Sequence, residues 1–319
     1  MELSELLGYP VDTKSYGLGT SWVLPRQNIG LEFEVENVQT RYLKAFRALK
    51  AAKLWTEEED GSLRNNGREF KSNGPLFGQD LLVSIEQFIE VAKKFNFVSS
   101  ARCGLHVHLD INDLDNVTQF PMLCCLYALF ERPLFKYAGW ERSENNNCLP
   151  WFLADDHLEE VQGLFEEQDP QRFKQLVHDI QRYSALNLNS LVERPTVEFR
   201  HMEMIFDVEK IKGWINIIMS LKKGAIELSE RMGYQELITY LSTHGADTLG
   251  QEVFGNYFNL VRCQDFSSLV WENLLLLEDL IILYKAKNRW ELKPVSKDKQ
   301  EGLAHIFLKK HPPAKKERQ

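Results

Sequence analysis

A chain of 319 residues with 44% hydrophobic and 26% charged residues has room for one large folded domain or two modest ones. Its formal net charge of -8 disfavours general attraction to nucleic acid or to an anionic membrane. Five cysteines (Cys103, Cys124, Cys125, Cys148 and Cys263) form no CxxC pair, which fits a reducing compartment better than a disulfide framework. There is no basic-then-apolar leader and no stretch suited to a bilayer, so the expectation is a soluble cytoplasmic protein.

In chain order, residues 1–26 read as loop, with Gly8, Pro10, Gly17, Gly19 and Pro25. A strand is expected at about 29–36 and a helix over 40–53, where Tyr42, Leu43, Phe46, Leu49 and Ala52 recur at helical spacing. The acidic run from Glu57 to Gly61 reads as a turn leading to a short strand at 68–71. Ser72 to Pro75 is a turn signal. A helix at 79–95 precedes a strand at about 102–110, and another helix follows at 117–138. Residues 139–153 read as a polar loop, placed to serve as a lid. Helices are expected at 155–165 and 170–183, a third one-sided strand at 196–201, and helices at 207–232, 234–243 and 265–285. The tail 309–319 is basic and broken by prolines, as a solvated terminus would be. This divides the chain into an α+β region, 1–206, and a mainly helical region, 207–319, packed on the same domain. Strands that alternate in polarity suit an antiparallel or mixed sheet better than a buried parallel one.

Three of these strands carry ionisable groups on one face. A strand repeats every two residues, so Glu32, Glu34 and Glu36 share a face while Leu31, Phe33 and Val35 share the other. Three like charges on one face need neutralising, which a hard cation with oxygen ligands would do, unless the strand simply faces solvent. His106 and His108 alternate with Leu105, Val107 and Leu109, and Asp110 shares their face. Such an HxH pair can bind zinc with a further ligand, or sit hydrogen-bonded in a polar groove. Gly104 permits the close approach of a ligand or another backbone. Glu198 and Arg200 pair as cation ligand and anion clamp, or as a plain ion pair. Glu69 and Lys71 repeat the theme. Asp60 to Ser62, and Arg182 with Asn187, are weaker signals. Cys124 and Cys125 belong to an apolar run, and Cys103 is a weak candidate for a catalytic thiol.

The succession GLEFE (30–34), REFKSNGPLFG (68–78), CGLHVHLD (103–110), RYSALNLNSL (182–191) and TVEFRHME (196–203) resembles the motifs of the amidoligase family. These are carboxylate-amine ligases related to glutamine synthetase and glutamate-cysteine ligase. The resemblance implies a curved, largely antiparallel sheet with helices on one face, as in the glutamine synthetase catalytic domain, followed by a helical C-terminal region. It also implies ATP and Mg2+, with Mn2+ as an alternative, and an amide bond formed through an acyl phosphate. By similarity, Glu32, Glu34, Glu69, His108 and Glu198 are metal ligands, and His106 lies near the metal or the phosphates. Arg200 binds phosphate, and Arg182, Asn187 and Lys71 are further nucleotide-binding candidates. Arg200, His106 and Arg182 are the catalytic candidates. The implied partners are small-molecule or peptide carboxylates and amines, with no nucleic acid or membrane and with room for an oligomer. Glutamine synthetase has a further carboxylate after the Glu69 position. This chain offers only Asp80 there, which leaves Glu36 as a substitute or one cation site missing. Two other readings are a zinc amide hydrolase built on His106, His108 and Asp110, and a non-catalytic binding protein that keeps the fold.

Overall fold

The computed structural model describes residues 2–8, 22–47, 54–153 and 155–287. It is α+β, with six strands in one sheet: β1 (Ile29–Val35), β2 (Trp55–Glu59), β3 (Arg68–Ser72), β4 (Gly104–Asp110), β5 (Leu186–Asn187) and β6 (Thr196–Glu203). The spatial order is β2-β3-β1-β4-β6-β5, and every neighbouring pair is antiparallel. The helices are α1 (Leu3–Leu7), α2 (Thr40–Arg47), α3 (Gly78–Lys94), α4 (Gln119–Ala138), α5 (Asp155–Gln162), α6 (Pro170–Asp179), α7 (Val208–Ser229), α8 (Leu237–His244), α9 (Ala246–Phe254), α10 (Phe258–Val261), α11 (Phe266–Glu272) and α12 (Leu274–Lys287). No described helix is long and apolar enough to cross a membrane.

The alternation read from the sequence sets the inner layer. Leu31, Phe33, Val35, Leu105, Val107, Leu109, Val197 and Phe199 are all buried. Phe33 stacks on Phe88 of α3 with ring centroids 4.2 Å apart and also meets Trp55 at 5.1 Å. Burying one such ring stabilises the fold by about 2–3 kcal/mol. Helix α4 packs on β6 and on α7, which also touches β4. Cys124 and Cys125 lie fully buried in α4. α7 starts at Asp207, whose carboxylate accepts the backbone N–H groups of Glu209 and Lys210, as an N-cap does.

Several boundaries differ from expectation. The acidic run at 57–59 is not a turn but part of β2. Its charge is balanced across the ladder: Arg68 pairs with Glu59 at 2.7 Å and Lys71 with Glu58 at 3.0 Å, while Trp55 anchors the strand in the core. Residues 139–153 contain two short 3-10 turns, Trp140–Glu144 and Trp151–Leu153. The helical run expected at 265–285 breaks at Asn273, whose amide donates to the Leu129 carbonyl and accepts from Arg132. Helices α9 and α10 had no clear sequence signal. Most of the expected loop at 1–26, the end of the helix expected at 40–53, and the basic tail lie outside the described residues.

Candidate active site

Antiparallel register, more than any single motif, assembles the charged face. Glu32 of β1 stands opposite His106 of β4 on one side and Lys71 of β3 on the other. Glu34 stands opposite Glu69. His108 is paired with Gly30 and with Glu198 of β6, and Glu198 with Asn187 of β5. Directly opposed residues share a face of a sheet, so five strands deliver their polar side chains to one place.

The contacts there are short. Glu32 Oε2 lies 3.3 Å from His106 Nδ1, and Glu32 Oε1 lies 3.2 Å from His108 Nε2. His106 Nδ1 is also 3.2 Å from Glu198 Oε1. Arg200 Nη1 donates to Glu198 Oε1 at 2.6 Å, and Asn187 Nδ2 donates to Glu198 Oε2 at 2.7 Å. Lys71 Nζ bridges Glu69 and Glu58 at 2.8 and 3.0 Å. Glu34 Oε2 accepts the Gly104 N–H at 2.5 Å. The Thr196 hydroxyl sits 3.2 Å from His108 Nδ1.

A bulge in β6 aims Arg200. Leu105 pairs with Met202 and Val107 with Phe199, so two residues of β6, Arg200 and His201, oppose one residue of β4. A bulge re-aims the side chains at its kink. Here Arg200 faces the site, and its Nε donates to the Asn147 carbonyl at 2.8 Å. His201 is fully buried instead, with its Nε2 3.0 Å from the Tyr127 hydroxyl of α4. Below the bulge, the buried Arg142 donates to the Arg200 carbonyl at 3.0 Å. A Cβ at Gly104 would lie 2.6 Å from Arg142 Nη2 and 2.9 Å from His106 Nε2. The close approach that Gly104 permits is therefore made by a guanidinium and a histidine ring.

The charge balance is uneven. Burial works to raise the Glu32 carboxyl, but hydrogen bonds and charge from His106 and His108 hold it far below the usual range. Glu69 is pushed up to about 7 by burial and by the Glu32 charge, against the pull of Lys71. Burial raises Glu198 too, yet Arg200 and the two histidines bring it below normal. Among the described residues, three sets of ligand atoms lie within 4.8 Å of one another: Glu32, Glu69 and His106; Glu32, His108 and Glu198; and Glu34, Asp60 and Glu69. Glu32 and Glu69 each belong to two sets. His106 Nε2 is buried with no hydrogen-bond partner. A carboxylate-rich donor set with an orphaned imidazole nitrogen suits a hard divalent cation with a histidine ligand.

All ten candidates (Glu32, Glu34, Glu69, Lys71, His106, His108, Arg182, Asn187, Glu198 and Arg200) line one cavity of about 530 Å3. Arg182 is at the rim, with its guanidinium 5.0 Å from the Tyr183 ring centroid. Four other expectations are corrected. Glu36 turns away from the site, and its Oε1 accepts the Arg64 N–H at 2.8 Å. Asp110 lies outside the histidine cluster, bonded to the Asn112 N–H and the Asn28 amide, so the His106, His108 and Asp110 zinc set is not assembled. Cys103 is buried against Ser100, and burial pushes its thiol up rather than activating it. Asp80 is exposed at the start of α3 and lines no part of the cavity. The carboxylate that joins Glu34 and Glu69 is Asp60, at the β2–β3 turn. Its one sequence signal was the Asp60-Gly-Ser62 turn following the acidic run. Tyr183 and Ser190, inside the RYSALNLNSL motif but not singled out there, also line the cavity, as does Arg194, which lies between that motif and TVEFRHME. Residues 139–153 contribute Asn147 as a wall, fastened by the buried Arg142, Cys148 and Trp151.

Residues 75–221 match a family model described as "Putative amidoligase enzyme". No curated protein sequence matches the chain. The matched span includes His106, His108, Arg182, Asn187, Glu198 and Arg200. Glu32, Glu34, Glu69 and Lys71 precede it and reach the same cavity through β1 and β3.

Proposed function

We propose that this chain, which belongs to the amidoligase family over residues 75–221, is an ATP-dependent ligase joining a carboxylate to an amine through an acyl phosphate. The observation that carries the reading is the cavity itself, in which interlocking carboxylate-histidine sets lie beside Lys71, Arg182, Arg194 and Arg200. Carboxylates with histidine suit Mg2+ or Mn2+, and arginine suits phosphate. Glu32, with one oxygen toward His106 and the other toward His108, would help hold the divalent cations. Glu69 and Glu198 complete those sets, and Glu34 with Asp60 forms a third grouping around Glu69. The divalent ions supply charge neutralisation for phosphoryl transfer. Arg200 already donates through Nε and Nη1 to Asn147 and Glu198. That fixes its guanidinium plane and leaves Nη2 for a phosphate oxygen. Lys71 and Arg182 flank it as further phosphate contacts. The negative charge that develops on the transferred phosphoryl group is met by fixed positive groups, which lowers the barrier more than mobile water would. The amine then displaces phosphate from the acyl carbon.

The test is an ADP-release screen across pairs of carboxylates and amines with Mg2+, with mass spectrometry of the products. The expected result is Mg2+-dependent ADP with a product lighter than the sum of its substrates by one water. Failure of both ADP release and condensation across a broad panel overturns the proposal. Stoichiometric zinc in the purified protein with no ATP binding would favour the hydrolase reading instead.

A further inference from the structure

Arg200 is gripped along its main chain as well as at its tip. Its N–H donates to the Ala185 carbonyl at 2.9 Å, and its own carbonyl accepts Arg142 Nη2 at 3.0 Å. Its Nε donates to the Asn147 carbonyl at 2.8 Å. Arg142 and Asn147 belong to one segment. Helix α4 ends at Gly139, whose φ of 129° lies in the left-handed region that favours glycine. The chain turns there into the 3-10 turn Trp140–Glu144, which carries Arg142, and then reaches Asn147. Asn145 ties the segment down: its Nδ2 donates to the Ala101 carbonyl at 3.0 Å and its Oδ1 accepts the Asn147 N–H at 2.8 Å. Leu149 donates to the Tyr183 carbonyl at 2.7 Å and accepts the Ala185 N–H at 2.8 Å. Ala185 is thus bonded to this segment through its N–H and to Arg200 through its carbonyl.

Arg142 itself is buried, and among the described residues its Nε and Nη1 have no hydrogen-bond partner. A guanidinium buried with two unmet donors is costly. The bond it does make goes to the Arg200 carbonyl, at the bulge where the β4–β6 register slips. Gly104 makes the room. A Cβ there would lie 2.6 Å from Arg142 Nη2 and 3.1 Å from its Cζ. Gly104 is not among the glycines with positive φ, so space rather than backbone conformation requires glycine at this position. From this geometry we infer that Arg142 is a positioning residue: it reaches over Gly104 to fix the bulged main chain of Arg200, and with it the direction of the Arg200 guanidinium. With Asn147 holding Nε, the side chain is fixed at both ends, so it has less rotamer freedom to lose when phosphate arrives. The inference rests on the reading of Arg200 as the phosphate clamp. It makes residues 139–149 a fixed brace for that clamp.

Titration calorimetry of the full chain with inorganic tripolyphosphate and Mg2+ tests it. The variants are Arg142→Met, Arg142→Lys, Arg200→Lys and the double variant Arg142→Met with Arg200→Lys. Thermal unfolding gives the folded fraction of each, and affinity is taken per folded protein. Arg142→Met should weaken tripolyphosphate binding about fivefold, the scale of returning one long side chain its rotamers. Arg142→Lys, which keeps a donor, should recover part of that loss. In the Arg200→Lys background, Arg142→Met should change affinity less than about twofold, because the guanidinium it aims is gone. A direct phosphate contact by Arg142, or a general loosening of the fold, would give the same loss in both backgrounds, and equal losses overturn the inference. So does unchanged affinity in Arg142→Met, or failure of both Arg142 variants to fold. No tripolyphosphate binding by wild type overturns it together with the phosphate role of Arg200. In steady-state ADP release, kcat should fall about tenfold in Arg142→Met, part of the roughly 10²-fold that a misplacement of about 1 Å costs. The outcomes separate the two proposals. Coupling of Arg142 to Arg200 in tripolyphosphate binding, with no ADP formed from any substrate pair, sinks the ligase reading alone. ADP formation with equal losses in both backgrounds sinks the positioning role alone.

Discussion

On the helix side of the sheet, Glu131 of α4 is completely buried and takes three hydrogen bonds. Tyr127 Oη donates at 2.6 Å, the Trp151 N–H at 2.7 Å and the Phe152 N–H at 3.1 Å. On the opposite side, Glu32, Glu34 and Glu198 are also buried, but much of what surrounds them is other carboxylates and imidazoles. The two faces share the same residue type and nearly the same burial. They differ in what surrounds the carboxylates. The helix face satisfies its carboxylate internally with fixed N–H and O–H donors, so that it serves as a packing element. The open face crowds Glu32, Glu34, Asp60 and Glu69 into interlocking sets, and the cation proposed for it would relieve that crowding. Buried acid by itself says little about function; the donor count around it separates a structural carboxylate from a binding one.

The sharpest way to break the comparison is at Glu32. Glu32→Gln should cut ATP-dependent ligation about 10³-fold, the scale for losing a central electrostatic group. In the same variant the cation-free protein should melt at a lower temperature than wild type, because the two histidines favour ionised Glu32 in the folded state, and the Mg2+-induced rise in melting temperature should shrink or vanish. A cation-free protein destabilised by the change, with its Mg2+ response intact, would put Glu32 in the structural class with Glu131. The helix face should show the opposite pattern. Phe33→Ala removes a ring stacked on Phe88 and should cost about 3–5 kcal/mol in urea unfolding, with no change in the Mg2+-induced shift per unit of folded protein.

A smaller effect is expected at Arg200. Arg200→Lys keeps the charge but loses the planar fork that holds Glu198 and Asn147 together, so activity should drop about 10²-fold with little loss of stability. Steady-state ADP release and thermal unfolding, measured side by side, check both halves. The mildest test concerns Glu131 and pH. Burial pushes its carboxyl from 4.5 up to about 7, against the pull of its three donors. The folded state thus keeps the proton to higher pH than the unfolded chain. Its stabilising contribution is complete below pH 4.5 and is lost as pH rises through about 7. Glu131→Gln, which cannot ionise, should gain on wild type by at most about 3 kcal/mol between pH 4.5 and pH 8. Parallel urea curves with a pH-independent difference would show Glu131 ionised throughout.

Much of the charged face is legible in the sequence. Glu32, Glu34, His106, His108, Glu198 and Arg200 stand at alternate positions in strands, and alternation is a local property that a sequence states directly. The burial of Leu31, Phe33, Leu105 and Val107 follows from the same rule. Local pattern failed where a neighbour overrode it. Glu57 to Glu59 look like a solvated turn until Arg68 and Lys71 sit across from them. Glu36 has the same alternation as Glu32, yet the Arg64 N–H captures it. Asp110 follows His106 and His108 in phase and still belongs to another cavity, because β4 outruns the cation face and ends beside Asn28.

The one-letter chain by itself determined which side of each strand carries charge and which is apolar. The tertiary structure alone decided that β1 lies between β3 and β4, that Asp60 arrives by way of β2, and that an extra residue in β6 sends Arg200 to the site and His201 into the core. The physical reason is range. Side-chain alternation is set by the backbone geometry of consecutive residues, whereas strand order, register and bulges are set by pairing energies between segments tens of residues apart, which no local window contains.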